Sequence, residues 1–326
     1  MSSTIQNDSI GHQGGAPHPS EAGQQASTVP IFRNILVVVD SGDATQWALK
    51  AAVRLAESGA RISLLHVVVT PSNWGMPEMP PPEEPCDVSA GNDFVLDRCA
   101  AEMPGALMGE RIYREGDVHH QIVRVAREHR ADLLVIGTHG RHALGRLLLG
   151  STAVYVLRHL PCPVLVAGRG LSDDATGMPG RVLVGVDDDG GPSLAAAEMA
   201  QRIAGRRHAR MALVHAIPQS TEFMPEYGIP VEDRLGPHVR ETGEVFLASF
   251  LIPAPGTSGV ERSVREGDAA RELLSAAADW NADLIVIGTH GRHGLGRLIL
   301  GSTAERVACK APCPVLCVGA AASNVD

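Results

Sequence analysis

Short unbroken runs of Val, Leu and Ile recur along the chain, and each is followed by a stretch with helical spacing of apolar residues. Asn34–Asp40 is one such run, ending in an acid. A run of this length and composition predicts a buried strand, covered on both faces. Ala44–Glu57 then shows helical periodicity, with Gly59 as the expected C-cap. Arg61–Val69 predicts a second strand, whereas the prolines of Pro71–Pro85 rule out regular structure there. The remaining elements expected in this half are a helix over Val88–Met103, a strand over Leu107–Arg114 and a helix from Asp117, its N-cap, to His129. A short apolar strand over Asp132–Gly137, a helix over Ser151–His159 and a last strand over Val164–Ala167 complete it. Alternating strands and helices imply right-handed βαβ units around a parallel sheet.

The same order recurs from Arg181 to Val318, because the sequence is duplicated. Gly137 to Ala153 returns as Gly288 to Ala304, an offset of 151 residues (137 to 288), with differences only at Ala143/Gly294 and Leu148/Ile299. Arg114–Asp117 and Pro161–Leu165 return at the same offset, as Arg265–Asp268 and Pro312–Leu316. Nearer the start of each copy the offset shrinks, to 149 for His66 and His215 and 147 for Asp40 and Asp187, so the length changes fall in loops. The expected organisation is a disordered tail over 1–30, one domain over 31–168, a linker over 169–180, a second domain over 181–320 and a short tail over 321–326. The fold class is α/β, with strands and helices alternating in each of two tandem domains.

Composition narrows the function. Aromatics are only 3% of the chain, so the cores must be aliphatic. The net charge of -9 argues against a general nucleic-acid binder or an anionic membrane surface as partner. No apolar run approaches the ~20 residues of a membrane span, and the N-terminus lacks the pattern of a secretory signal. The expected location is therefore the cytoplasm, with the six cysteines as reduced thiols. Cys162 and Cys313 occupy matching positions between two prolines, which points to packing rather than chemistry.

The duplicated loop carries the candidate chemistry. It reads Gly-x2-Gly-x9-Gly-Ser, as Gly137, Gly140, Gly150 and Ser151, and again as Gly288, Gly291, Gly301 and Ser302. Each copy starts where an aliphatic strand ends and finishes where a helix begins. That is where open α/β sheets bind ligands, and a helix N-terminus offers unpaired N–H groups to an anion. Glycines let backbone amides approach closely, and the serines can donate to phosphate or cap the helix. Read as residues alone, the glycines also fit plain turns. Asp40 and Asp187 end the first strand of each copy; each fits either a hydrogen-bond acceptor for a ribose or adenine group or the cap of a turn. Arg141, Arg146, Arg292 and Arg297 lie within the loops, as do His139, His142, His290 and His293, and none has a carboxylate partner evident in the sequence. The Walker pattern, the Gly-x-Gly-x-x-Gly turn, the Gly-x-Ser-x-Gly elbow and His-Glu-x-x-His are all absent.

On this loop, the strand-ending aspartates, and the pairs His66-Val67 and His215-Ala216, the chain resembles the universal stress protein family in its tandem form, ATP-binding branch. The resemblance covers about residues 31–168 and 181–320, and it implies an α/β fold of two tandem doubly wound domains, each with a five-stranded parallel sheet and helices on both faces. It implies that Asp40 with Val67, and Asp187 with Ala216, hold the adenosine. It further implies that Gly137, Thr138, Gly140, Gly150 and the Ser151-Thr152 pair hold the phosphates, as do Gly288, Thr289, Gly291, Gly301 and Ser302-Thr303 in the second copy. ATP, with Mg²⁺ bridging its phosphates, is the implied cofactor, and the two domains are expected to pack as a pseudo-dimer within one chain, with a homodimer as a further option. The turns after Asp40 and Asp187 depart from the family's Asp-Gly-Ser. Ala216 is smaller than the expected Val, which predicts a weaker second site. The implied role is a stress-response protein that senses or signals adenine-nucleotide state, acting with an unknown protein partner. A slow ATPase or autophosphorylating enzyme, and an interaction module with non-binding loops, are the competing readings.

Overall fold

A computed structural model describes residues 29–69, 88–138, 149–168, 179–187, 191–217, 232–250, 259–289 and 300–319. Most of the expected tail, Pro71–Pro85 and the interior of both glycine loops, including Gly140, Gly291 and the loop arginines and histidines, lie outside these residues.

The first half runs β1 (Asn34–Val38), α1 (Ala44–Leu55), β2 (Arg61–Val68), α2 (Val88–Ala101), β3 (Met108–Glu115), α3 (Val118–Glu128), β4 (Leu133–Gly137), α4 (Ser151–His159) and β5 (Val164–Ala167). The second runs β6 (Arg181–Val186), α5 (Gly191–Arg207), β7 (Arg210–Ile217), α6 (Glu232–Ser249), β8 (Val260–Glu266), α7 (Ala269–Asp279), β9 (Leu284–Gly288), α8 (Ser302–Lys310) and β10 (Val315–Val318). Every strand and helix expected in the first half is present, with ends shifted by at most two residues. α1 stops at Leu55 with Ala56 as its C-cap, and Gly59 lies in the turn beyond, at φ +89°.

The strand order is β3-β2-β1-β4-β5-β10-β9-β6-β7-β8. Each half contributes five parallel strands, as expected, but they form one ten-stranded sheet rather than two. The join is antiparallel, β5 on β10, with Leu165 opposite Leu316. Its physical reason lies in the sequences VLVA and VLCV, which are buried throughout and carry no charge. Left as sheet edges they would present unpaired backbone beside apolar side chains, the arrangement that invites further strand pairing. The true outer edges, β3 and β8, carry Glu110, Arg111, Glu261 and Arg262 instead.

Helices cover both faces, and each face has a core continuous across the two halves. One core combines residues of α1, α2, α5 and α6, such as Leu49, Leu96, Ile203 and Leu247. The other combines α3, α4, α7 and α8, through Ile122, Val156, Leu273 and Val307. No helix among the described residues is long and apolar enough to cross a membrane.

Candidate functional site

Strand register brings the strand-end residues of each half into one row. Val38 pairs with Leu65 and Val37 with Val135. Carried two and three residues forward, that register sets Asp40 level with Val67 on one side and Thr138 on the other. In the second half Val186 pairs with His215 and Gly185 with Ile287, which sets Asp187 level with Ala216 and Thr289. Between β1 and β4, and between β6 and β9, the strand order reverses, so each row lies at the topological switch point where open α/β sheets hold ligands. Because β5 and β10 are antiparallel, the two rows lie at opposite edges of the ten-stranded sheet.

Asp40 is held by its own turn. Its Oδ1 accepts from the Gly42 N–H at 2.7 Å, and its backbone N–H donates to Thr45 Oγ1 at 2.8 Å. The Thr45 hydroxyl lies 2.9 Å from the same Oδ1 and 3.0 Å from the Asp40 carbonyl, so its single proton serves one or the other. Asp187 repeats the lock: its N–H donates to Ser193 Oγ at 3.0 Å, and that hydroxyl donates to Asp187 Oδ1 at 2.7 Å. Thr45 and Ser193 are both buried. Sequence reading missed them; the available signal was a hydroxyl five or six residues after a strand-ending Asp, at the start of the next helix. The turn-cap and ligand readings of Asp40 are therefore compatible, since the turn bonds described engage Oδ1 and the residue is only half-buried.

The loop glycines have separate tasks. A Cβ on Gly137 would lie 2.5 Å from Ala44 Cβ and 2.8 Å from the Ala44 carbonyl oxygen. On Gly288 it would meet Pro192 Cβ at 2.8 Å. These two glycines let the N-terminus of the first helix in each half pack against the end of the fourth strand. Thr138 and Thr289, just past the ends of β4 and β9, are buried rather than exposed. Thr138 donates its N–H to Ala167 and accepts the Gly150 N–H on its carbonyl at 3.0 Å; Thr289 and Gly301 repeat this at 2.8 Å. Each loop thus leaves and returns at one point.

From that point α4 and α8 start. Their N-caps, Gly150 and Gly301, provide no side-chain cap bond, and Ser151 and Ser302 are exposed. A helix start of this kind, with no side-chain cap among the described residues, is one that suits an anion. α4 has no acid in its first turn, whereas α8 carries Glu305 there, where Val154 stands in the first half. Val67 and Ala216 are both half-buried beside these rows. His66 is buried, and the His215 ring lies 2.9 Å from the Val186 carbonyl, next to Asp187. Among the described residues there is no group of three or more His, Cys, Asp or Glu side chains able to hold a metal.

The fold and its two strand-end rows define a duplicated doubly wound α/β protein with one switch-point cleft in each half. The profile of the universal stress protein family matches residues 31–168 and 178–319, and the chain belongs to that family. A universal stress protein of Mycolicibacterium smegmatis is 32% identical over 297 residues, spanning 87% of this chain and 96% of the relative. One from Mycobacterium tuberculosis is 28% identical over 298 residues, spanning 86% and 95%. Among solved structures, a universal stress protein from Archaeoglobus fulgidus aligns over 88% of this chain and 98% of its own, with TM-score 0.57 and 18% identity. A Pseudomonas aeruginosa protein described as functionally unknown aligns over 89% and 93%, with TM-score 0.61 and 23% identity. Both structural likenesses concern the fold.

Proposed function

We propose that each half binds adenine nucleotide in its switch-point cleft, and that the protein senses or signals adenine-nucleotide state. The observation that carries this reading is the row Asp40–Val67–Thr138, with α4 starting beside it from an N-cap free of side-chain bonds. A carboxylate at one end suits the hydroxyls of a ribose or an exocyclic amine, and a half-buried Val beside it suits the face of a base. The α4 amides, with the Ser151 and Thr152 hydroxyls, suit phosphate oxygens at the other end. The residues fit Mg²⁺ only as a partner of the phosphates: the described residues offer no carboxylate cage, and Mg²⁺ commonly keeps its waters and binds through substrate phosphates.

The second cleft is the weaker one. Ala216 offers less apolar surface than Val67, and Glu305 adds negative charge near the α8 N-terminus where phosphate would sit. Isothermal titration of the full chain with Mg-ATP tests the reading. Two binding events of unequal affinity are expected; no binding heat from folded protein would overturn it. Chain residues that would activate a water or carry a phosphoryl group are not identifiable among the described ones, so binding rather than turnover is the function proposed. Placement of the chain in the cytoplasm, and association of two chains, are part of the same proposal.

A further inference from the structure

A cavity of about 330 Å³ opens on the α3 face of the first half, at the edge of the sheet opposite the Asp40 row. Arg61, Ser63, Gly109, Glu110 and His129 line it. It owes its shape to an irregularity in β3. Ile62 pairs with Met108 but Leu64 pairs with Arg111, so one extra residue of β3 bulges at Gly109–Glu110. The Glu110 N–H is taken by the Ser63 hydroxyl at 3.1 Å. A Cβ on Gly109 would lie 2.6 Å from that hydroxyl oxygen, so the bulge, the glycine and the serine belong together. Bulges of this kind re-aim side chains and are common beside ligand sites.

The second half shows what fills the same place. By the repeat offsets, Arg61, Ser63, Gly109, Glu110 and His129 correspond to Arg210, Ala212, Val260, Glu261 and Trp280. There the β7–β8 pairing is regular, with Met211 opposite Val260 and Ala212 opposite Glu261. The Trp280 indole N–H donates to Glu261 Oε2 at 3.1 Å. The Arg210 guanidinium lies 5.8 Å from the centre of the indole ring and also bonds Glu261. The first half keeps the carboxylate and the guanidinium but has a smaller ring: His129 Nδ1 is 3.6 Å from Glu110 Oε2. Arg61 is turned to the Met108 carbonyl at 3.3 Å. The molecule has therefore retained the polar partners of an indole in a half that supplies no indole.

We propose that this cavity is a ligand site confined to the first half, and that it takes a flat heteroaromatic ring bearing an N–H donor, of about the size of indole. The ring N–H bonds Glu110, the Arg61 guanidinium covers the ring face, and the bulge at Gly109 leaves the room that Val260 occupies in the other half. The volume is at the small end of ligand pockets, which start near ~300 Å³, so a single compact ligand is implied.

The probe is indole itself, titrated into the full chain by calorimetry and by saturation-transfer NMR, with and without Mg-ATP. Saturable binding of one indole per chain, undisturbed by ATP, is expected. His129→Trp supplies the second half's own ring and is expected to weaken indole binding at least tenfold while leaving the ATP titration as it was. Glu110→Gln, at an exposed side chain that a folded protein tolerates, is expected to weaken it severalfold. Absence of saturable binding, displacement of indole by ATP, or wild-type affinity in the Glu110→Gln protein would each overturn the proposal.

Discussion

Glu57 and Arg207 meet across the seam between the two halves, with Arg207 Nε 3.6 Å from Glu57 Oε1. The same guanidinium donates to the Leu55 carbonyl at 2.9 Å, so a residue of the second half caps the C-terminus of α1 in the first. Arg206 lies 3.8 Å from the other carboxylate oxygen, which also accepts the Ile31 N–H at 3.0 Å. At the repeat offset of this region, Arg206 stands where the first copy has Glu57. In a dimer of identical domains these positions would present like charges to each other; the duplicated chain has made them opposite. Their side chains are only 14% and 7% exposed for Glu57 and Arg207, so removing one charge strands the other. Burial already pulls the Arg207 guanidinium below its usual value, and the Glu57 charge is what opposes this. Glu57→Ala should cost about 3 kcal/mol, as for other buried pairs broken on one side. Thermal unfolding by calorimetry should show Tm falling by several degrees; an unchanged Tm would mean that the seam does not depend on this pair.

The lock on Asp40 yields a prediction about the proposed binding. Thr45→Val keeps the shape of a buried side chain but leaves the Asp40 N–H and Oδ1 without their hydroxyl partner. A neutral hydrogen bond of this kind is worth about 1 kcal/mol, more when it engages a carboxylate. Thr45 acts through Asp40 and is a positioning residue. ATP affinity at the first cleft should fall about tenfold, with the second cleft unchanged, and Thr45→Ser should restore it. Equal loss at both clefts in calorimetry would show that the substitution acts on the whole fold rather than on Asp40.

Gly137→Ala tests whether the first loop glycine is a packing residue. The added methyl has no room against Ala44, and overpacking of this sort costs roughly 1–3 kcal/mol. Urea unfolding should report that loss in protein without nucleotide, and Gly288→Ala should behave likewise against Pro192. Unchanged stability in both variants, with nucleotide affinity reduced, would instead tie these glycines to the ligand.

The strands and helices were legible because their causes are local. Buried strands such as Leu133–Gly137 are wholly apolar, and Asp117 and Asp268 announce their helices as N-caps. The place of Asp40 and of the loop at strand ends followed too, since each sits directly beyond an apolar run, whereas Val67 lies within β2 and was pointed to only by the family resemblance. What could not be read depends on partners distant in the chain. The union of β5 with β10 joins strands about half the chain apart. The task of Gly137 depends on how closely Ala44 approaches it, and that distance is a property of packing. The contrast between His129 and Trp280 was visible as letters, but its meaning needed the β3 bulge, which carries no clear mark in the sequence.

The helix-capping aspartates make a final prediction, concerning acid stability. Asp117 accepts the His120 N–H at 2.8 Å, and Asp268 accepts that of Arg271 at 2.9 Å. Asp268 also takes Arg306 of α8 at 2.6 Å, where the first half has Tyr155 in place of the arginine. The hydrogen bond from Arg306, followed by that from the Arg271 amide, holds the Asp268 carboxyl below its ordinary value of 3.8. For Asp117 the His120 amide has the leading part in the same direction. A carboxyl with a folded-state pKa below its unfolded value stabilises the fold fully above the unfolded value, and that contribution disappears as pH falls through the folded one. Asp268→Ala should therefore cost about 1 kcal/mol near neutral pH, the usual worth of an N-cap. The difference from wild type should narrow as pH drops below 3.8. Asp268→Asn, which still caps but cannot titrate, should keep most of the neutral-pH stability and show a shallower acid limb. Urea midpoints measured from neutral pH to pH ~3 would check this. A wild-type to Ala gap that stays constant across that range would show that the cap does not depend on the carboxylate charge.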